Sequence, residues 1–415
     1  MRILMTHWVY LPEFSGAALQ GHRLAKELQQ LGVSIQVLTG THEKGLIGVD
    51  EVDGILVNRV LRNRASISGS ARYWMGIHRF ILKQGHRFDL VHNHGFQPRV
   101  NLAAHRLGLP IVTKITNQTL DDPSAVAQRR FGRLQLGIFN MTDAVIATST
   151  ILEESCRKSG LPAEKIVRIP NGVDTLLFSP LSKEKKDELR SAMHAADDKI
   201  VLLSVGAVEY RKGFDALVRA IYELDKETRD KIRLWIVGPT SNRDNYGTVQ
   251  PGQEAYVDRL LRMIKEFGLE DIVLLKGRQQ NIHEYMRAAD IYIHPSRMEG
   301  QPNAILEAMS TGLPVIANLL PGITDEILQC GRFGYLIDAE DAPKFASALR
   351  VLINNEPLRK RIGGQAQDYI HRHYSIKQTA QRHLSLYSSL VHRSAFETLK
   401  TRSRKSSILI TGSKI

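Results

Sequence analysis

Short apolar runs alternate with longer amphipathic stretches along most of the chain. Arg2 to Met5 is the first run, followed by a loop from Tyr10 to Gly16 that contains Pro12. Ala18, Leu24, Ala25, Leu28 and Leu31 then recur at helical spacing, and Gly32 follows as a stop signal. Val33 to Leu38 supplies a second strand and completes a βαβ unit. Further strands are predicted at Leu90–Val91, Ile111 to Ile115, Ala144 to Ala147 and Ile166 to Ile169. Being continuously apolar, these strands belong to a parallel sheet covered on both faces. Glu43 to Asn63 is less regular and leaves room for additional strands.

The pattern then begins again. Lys183 to Asp198 is charged and polar, and with Pro180 it reads as a linker between two units, near residues 179 to 199. Strands follow at Ile200 to Val205, Leu234 to Val237, Ile272 to Leu275, Ile291 to His294 and Val315 to Ala317. Helices are predicted between them at Asp215 to Leu224, Ala255 to Phe267, Ile282 to Ala288 and Asn303 to Ser310. The fold class is therefore α/β, with two doubly wound Rossmann-like domains, 1–180 and 199–375. Two such domains face to face put the carboxyl ends of both sheets at one central cleft, where ligands of open α/β sheets bind. The basic tail, residues 393–415, has poor periodicity and is expected to be loosely ordered.

Composition narrows the classes. A chain of 415 residues with 43% hydrophobic and 24% charged residues is an ordinary globular protein of two to three domains. Its formal net charge of +13 points to anionic company, whether nucleotide, nucleic acid or acidic lipid. Two cysteines, Cys156 and Cys330, cannot build a disulfide framework, so a reducing, cytoplasmic compartment is expected. The apolar run at the N-terminus is too short for a secretory signal, and no stretch nears the roughly 18 apolar residues that span a bilayer.

The densest chemistry lies in the second half, from Ile291 to Pro314. A strand ends at Pro295-Ser296, a turn with Glu299-Gly300-Gln301 follows, and a helix begins around Pro302 with Asn303 and Glu307 on one face. The amides of Gly300 to Asn303 would point at the cleft, as a helix N-terminus does toward an anion or polarised hydroxyls. Glu299 and Glu307 are not a hydrolase pair. On one helix their axial separation would be about 12 Å, beyond the roughly 5 to 9.5 Å that glycosidases need. Either they grip different parts of one long ligand, or both are solvated charges at a helix start. A second site follows a strand at Ser204-Val205-Gly206-Ala207, where Arg211-Lys212-Gly213 could clamp a diphosphate or form a solvated loop. It matches neither the Walker loop nor Gly-x-Gly-x-x-Gly.

Together these residues resemble the retaining glycosyltransferases of family 4, enzymes of the GT-B architecture. The matching elements cover nearly the whole chain: the Gly16 loop, Asp89 to His94, Ile169 to Asp174 with Phe178 to Pro180, Gly206 with Lys212-Gly213, Gly238, and Glu299 to Glu307 followed by Gly312-Leu313-Pro314. The resemblance implies that Arg211 and Lys212 neutralise the donor diphosphate, Glu299 holds the transferred sugar and Glu307 the ribose hydroxyls. It also implies that Gly16 and Gly206 let backbone approach the donor, and that Gly277, Arg278 and Gln279 frame the base. The helix from Ile376 to Val391 resembles the family element that crosses back to the first domain. Transfer from a nucleotide-sugar, with a UDP-sugar expected because such donors are common in the family, with retention and without a cofactor or required metal is the implied chemistry. Adjacent Asp121-Asp122 is not the Asp-x-Asp metal signature of the other large glycosyltransferase fold.

Departures from the family pattern mark where this chain is its own. Ala207 stands where the family usually has Arg, and Ser15-Gly16 replaces Gly-Gly. Thr113-Lys114-Ile115-Thr116-Asn117 replaces a Thr-x-His sequence, so Lys114, Asn117 or Asp121-Asp122 could take over the sugar-side role. His92 and His94 face one side of a strand end; one touches substrate, or both are satisfied in a turn. No third ligand converges on them to hold a metal. From Ser66 to Phe88, Tyr73, Trp74, Met75, Ile77, Phe80, Ile81 and Leu82 interleave with Arg72, Arg79, Lys83 and Arg87. This reads either as a helix on an anionic membrane, serving a lipid-linked or cell-envelope saccharide acceptor from the inner face of the cytoplasmic membrane, or as a helix packed on its own sheet with a basic outer face. A sugar-nucleotide epimerase or hydrolase and a polyanion-binding protein are the rival functions; no nucleic-acid recognition motif supports the second.

Overall fold

A computed structural model describes residues 1–13, 15–62, 67–118, 121–195, 198–240 and 253–411. The first sheet has eight strands: β1 (Arg2–His7), β2 (Ser34–Thr41), β3 (Gly48–Val52), β4 (Ile55–Leu61), β5 (Leu90–His94), β6 (Ile111–Ile115), β7 (Ala144–Ala147) and β8 (Ile166–Arg168). Their order is β3-β4-β2-β1-β5-β6-β7-β8, and only the β3–β4 hairpin is antiparallel. That hairpin is the extra structure for which Glu43 to Asn63 left room; Asn63 lies outside the described residues.

The second sheet has β9 (Ile200–Val205), β10 (Ile232–Val237), β11 (Val273–Gly277), β12 (Ile291–His294), β13 (Val315–Asn318) and β14 (Gly334–Ile337), ordered β11-β10-β9-β12-β13-β14 and wholly parallel. Strand alternation sorts the core by face. Leu202, Leu234, Ile236 and Ile293 pack on one side of this sheet, and Leu203, Trp235, Val237 and Tyr292 on the other. Strand order reverses between β1 and β5 and again between β9 and β12, so each sheet opens a crevice at its carboxyl edge.

Two expectations are corrected. The charged run read as a linker forms a helix, Lys183–Ala192, with its N-terminus capped by Ser182. Lys186 and Arg190 bond Asp290 at 2.8 and 2.5 Å, docking the helix on the second domain through ion pairs that flank the half-buried Leu189. The last helix runs from Ile376 to Thr411, past the boundary where loose order was expected; residues 412–415 lie outside the described residues. Its Ile376, Ala380, Tyr387 and Leu390 pack in the core of the first domain, so the chain does cross back.

The Ile67–Gln84 helix answers the question its sequence left open. Tyr73, Ile77 and Ile81 are buried against Leu4, Leu38 and Val91, so the apolar face belongs to the core of the first domain. Arg72, Met75, Arg79, Leu82 and Lys83 form the exposed face. Ser66 lies outside the described residues. Among the described residues, no helix is long and apolar enough to cross a membrane.

Candidate active site

The two crevices meet in one cavity of about 1090 Å³ between the domains. Gly16, Lys114 and Asn117 line it from the first domain; Gly206, Arg211, Lys212, Arg278 and Glu299 to Asn303 with Glu307 line it from the second. Sequence separation is large, but the topology brings these residues to the same two carboxyl edges.

On the second domain, β9 runs into a turn that ends at Gly213. This glycine has φ 70°, and a Cβ there would sit 2.1 Å from the Pro295 carbonyl. Only glycine allows so close an approach in that conformation, and it brings Arg211-Lys212 against the end of β12. Lys212 Nζ donates to Glu299 Oε1 at 2.6 Å, His294 Nε2 lies 3.1 Å from the same oxygen, and Arg211 is 3.7 Å from Oε2. Burial alone would raise the Glu299 carboxyl, but Lys212, His294 and Arg211 outweigh it and hold it well below the carboxylate range. Glu299 is thus ionised. Arg211 also bonds Glu209 at 2.7 Å and the Met298 carbonyl at 3.2 Å.

The Asn303–Ser310 helix begins after Pro302, which holds extended backbone in the cap position rather than the first helical turn. Its residues reach across the cleft. Asn171 donates its backbone N–H to Gln301 Oε1 at 2.6 Å and its Nδ2 to Asn303 Oδ1 at 2.8 Å. Asn303 Nδ2 donates to the Gly16 carbonyl at 3.3 Å. Gly16 itself opens the Gly16–Gln30 helix, capped by Ser15, instead of lying within a loop. Gly300 sits so close to the first domain that a Cβ would be 2.2 Å from the Thr116 carbonyl.

Glu307 has a partner that sequence reasoning missed. Arg23, on the Gly16–Gln30 helix, donates to Glu307 Oε1 at 2.6 Å and stacks over Phe178 at 5.1 Å. Nothing in the local pattern separates Arg23 from a solvated helix charge. His294 was also missed, although its place at a strand end five residues before Glu299 was a usable signal.

The first-domain candidates divide. His94, Lys114 and Asn117 line the cleft, whereas His92 is fully buried with Nδ1 2.5 Å from the Tyr387 hydroxyl, beneath the last helix. His92 therefore takes the structural role. His7 and His94 stack at 4.1 Å, and burial with the neighbouring charges holds all three imidazoles neutral. Asp121 and Asp122 are structural as well. Asp121 accepts from the backbone N–H groups of Thr116 and Asn117 at 3.0 and 2.7 Å, shaping the turn; Asp122 caps a helix through Ala125 N at 3.1 Å. Cys156 is buried on the Thr150–Lys158 helix. Among the described residues, no group of three or more His, Cys, Asp or Glu side chains is placed to hold a metal ion.

Two family models match. Residues 14–176 fit the glycosyltransferase family 4 model and residues 185–369 fit the model for glycosyl transferases group 1. The chain belongs to these glycosyltransferases. The enzyme is 28% identical over 375 residues to D-inositol 3-phosphate glycosyltransferase of Kineococcus radiotolerans, covering 83% of each chain. It is 24% identical to N-acetyl-alpha-D-glucosaminyl L-malate synthase of Bacillus anthracis, covering 91% of this chain and 94% of that protein. In three dimensions this glycosyltransferase superimposes on Anabaena Alr3699/HepE in complex with UDP and glucose with a TM-score of 0.76, at 22% identity over 94% of this chain and all of the other. Sucrose-phosphate synthase from Thermosynechococcus elongatus gives a TM-score of 0.77 at 19% identity, covering 94% and 99%. The architecture is GT-B.

Proposed function

We propose that this glycosyltransferase moves a sugar, with retention, from a nucleoside-diphosphate sugar to a saccharide or lipid-linked acceptor of the cell envelope. The single observation that carries the donor reading is that Arg211, Lys212, Glu299 and Glu307 line one cleft with Gly16 and Gly206. When the anomeric C–O bond breaks, the diphosphate gains negative charge, and Arg211, Lys212 and the amides at the start of the Gly16–Gln30 helix are the donors available to hold it. One such donor is worth on the order of 3 kcal/mol, a hundredfold or more in rate. Glu299, ionised, accepts hydrogen bonds from the transferred sugar; Glu307 accepts them from the ribose. Arg278, after Gly277 at the end of β11, lines the same cleft and is assigned to the base. UDP is the nucleotide of choice because the similarly folded Anabaena protein was solved with UDP and glucose.

On the acceptor side we assign Lys114, Asn117 and His94. The proton of the attacking hydroxyl passes to the departing phosphate in same-face displacement, so no metal or separate base is invoked. Peripheral attachment at the inner face of the cytoplasmic membrane rests on the basic outer face of the Ile67–Gln84 helix; equal recovery with neutral and anionic vesicles at low salt removes it.

A thermal-shift panel of UDP, GDP and ADP with their sugars tests the donor assignment. Binding to the native state raises Tm by mass action, and the true nucleotide stands apart. Lys212→Ala loses that rise and Glu307→Ala keeps only part of it, while the ligand-free proteins stay folded; unchanged nucleotide affinity in Lys212→Ala overturns the assignment.

A further inference from the structure

Most charges of the cleft already have a partner of opposite sign: Lys212 and Arg211 face Glu299, Arg23 faces Glu307, and His22 Nε2 lies 2.9 Å from Asp53. Lys114 does not. Its side chain forms part of the cleft wall, is 1% exposed, and its Nζ makes no hydrogen bond. It extends from β6 at the position paired with His94 of β5. The groups its charge acts upon are four imidazoles, His7, His92, His94 and His383, all of them driven away from protonation. Among the described residues, no carboxylate answers it. Burial is the cause that moves the Lys114 ammonium, pushing it down to about 7. Asp121 is occupied with Thr116 and Asn117. On the same wall the Asn117 side chain has its own unpartnered oxygen.

A buried ammonium without a counter-charge is costly, and a neutral sugar hydroxyl would leave that cost in place. An anion entering the cleft removes it and gains a charge-assisted hydrogen bond. The four-carbon stem of lysine is flexible, and with no bond holding Nζ the head can swing toward a ligand. Asn117 can turn its amide N–H₂ to the same group.

We infer that the cleft wall at Lys114 and Asn117 is an anion subsite, which takes a phosphate or carboxylate carried by one of the enzyme's two substrates. This rests on the donor reading above and adds to it the chemical class of a substrate.

Titrating inorganic phosphate calorimetrically into the full chain saturated with UDP tests the subsite, because UDP occupies the cations at Arg211 and Lys212. The wild type binds phosphate, Lys114→Met binds it at least about tenfold more weakly, and Lys114→Arg restores most of the affinity. Wild-type UDP affinity in Lys114→Met shows that its fold is intact. Equal phosphate affinity in wild type and Lys114→Met, or no phosphate binding to the UDP-bound wild type, overturns the subsite. If UDP itself does not bind, the donor reading fails instead. The Lys114 comparison is then made in an Arg211→Ala/Lys212→Ala background, where the same two outcomes decide. UDP-glucuronate and UDP-glucose locate the anion. Selective loss of UDP-glucuronate affinity in Lys114→Met puts it on the donor sugar, and unchanged affinity with phosphate binding lost puts it on the acceptor.

Discussion

Lys212 Nζ lies 2.6 Å from Glu299 Oε1, so the cation assigned to the donor diphosphate is already engaged by the carboxylate assigned to the sugar. A diphosphate must compete for Lys212 and, in doing so, releases Glu299 toward the sugar hydroxyls. The pair couples the two halves of donor recognition.

Glu299→Gln separates them. Glutamine keeps the shape but not the charge, freeing Lys212 and Arg211 for phosphate. UDP affinity is expected to rise, by up to about tenfold, while sugar transfer falls by about a hundredfold or more. Calorimetry with UDP and a transfer assay read the two effects. Weaker UDP binding in this variant would mean that Glu299 positions Lys212 for phosphate instead of competing with it.

Arg23 and Glu307 make the second such pair, across the cleft at 2.6 Å. If Glu307 receives the ribose hydroxyls, the nucleotide displaces Arg23. Arg23→Ala should then bind UDP at least as tightly as the wild type, while Glu307→Ala loses about tenfold, the worth of a charged hydrogen bond. A parallel tenfold loss in Arg23→Ala would make Arg23 a ligand contact in its own right.

How far these relationships were legible follows from their range. The Glu299 to Glu307 turn could be read because its strand end, glycine turn and helix start are consecutive, and the Asn303–Ser310 helix stands where periodicity put it. Arg23 could not, because its partner is 284 residues away and its own helix face looks solvated. The Lys183–Ala192 helix was hidden for a related reason: it docks through Lys186 and Arg190 onto Asp290, so its sequence carries charges where a packed helix usually shows an apolar stripe. His92 and His94, two residues apart on one strand, looked equivalent. Both are buried, and only the last helix, with Tyr387 against His92, distinguishes the member held beneath it from the one that lines the cleft.

Lys114 gives a pH signature in the ligand-free enzyme. Burial lowers its ammonium from 10.5 to about 7, so between these values the unfolded chain binds more protons than the folded one. This contribution to stability therefore increases as pH rises through that window. Differential scanning calorimetry should show the wild type gaining on Lys114→Met between pH 7 and pH 10, by about 2 °C or more in Tm. A constant gap across that range would mean that Lys114 is charged at neutrality in the ligand-free state.

Gly300 tests whether the two domains must meet this closely for transfer. Its ideal Cβ would stand 2.2 Å from the Thr116 carbonyl, a backbone atom that cannot swing aside as a side chain would. Gly300 has no positive φ, so alanine costs nothing in its own conformation and acts only across the cleft. Both sheets keep their cores, and Tm should change by no more than about 2 °C, as for a substitution outside the core. The domains, however, are held apart where Asn303 bonds Gly16 and Asn171. Gly300→Ala is therefore expected to lower kcat by about tenfold or more, because the opposing groups no longer reach near-attack distance and water enters. UDP affinity should fall less, since Arg211 and Lys212 sit wholly on the second domain. Small-angle scattering of the UDP-bound variant should show a larger radius of gyration than the wild type. A variant that scatters like the wild type yet is slow would place the effect of Gly300 within its own turn rather than between the domains.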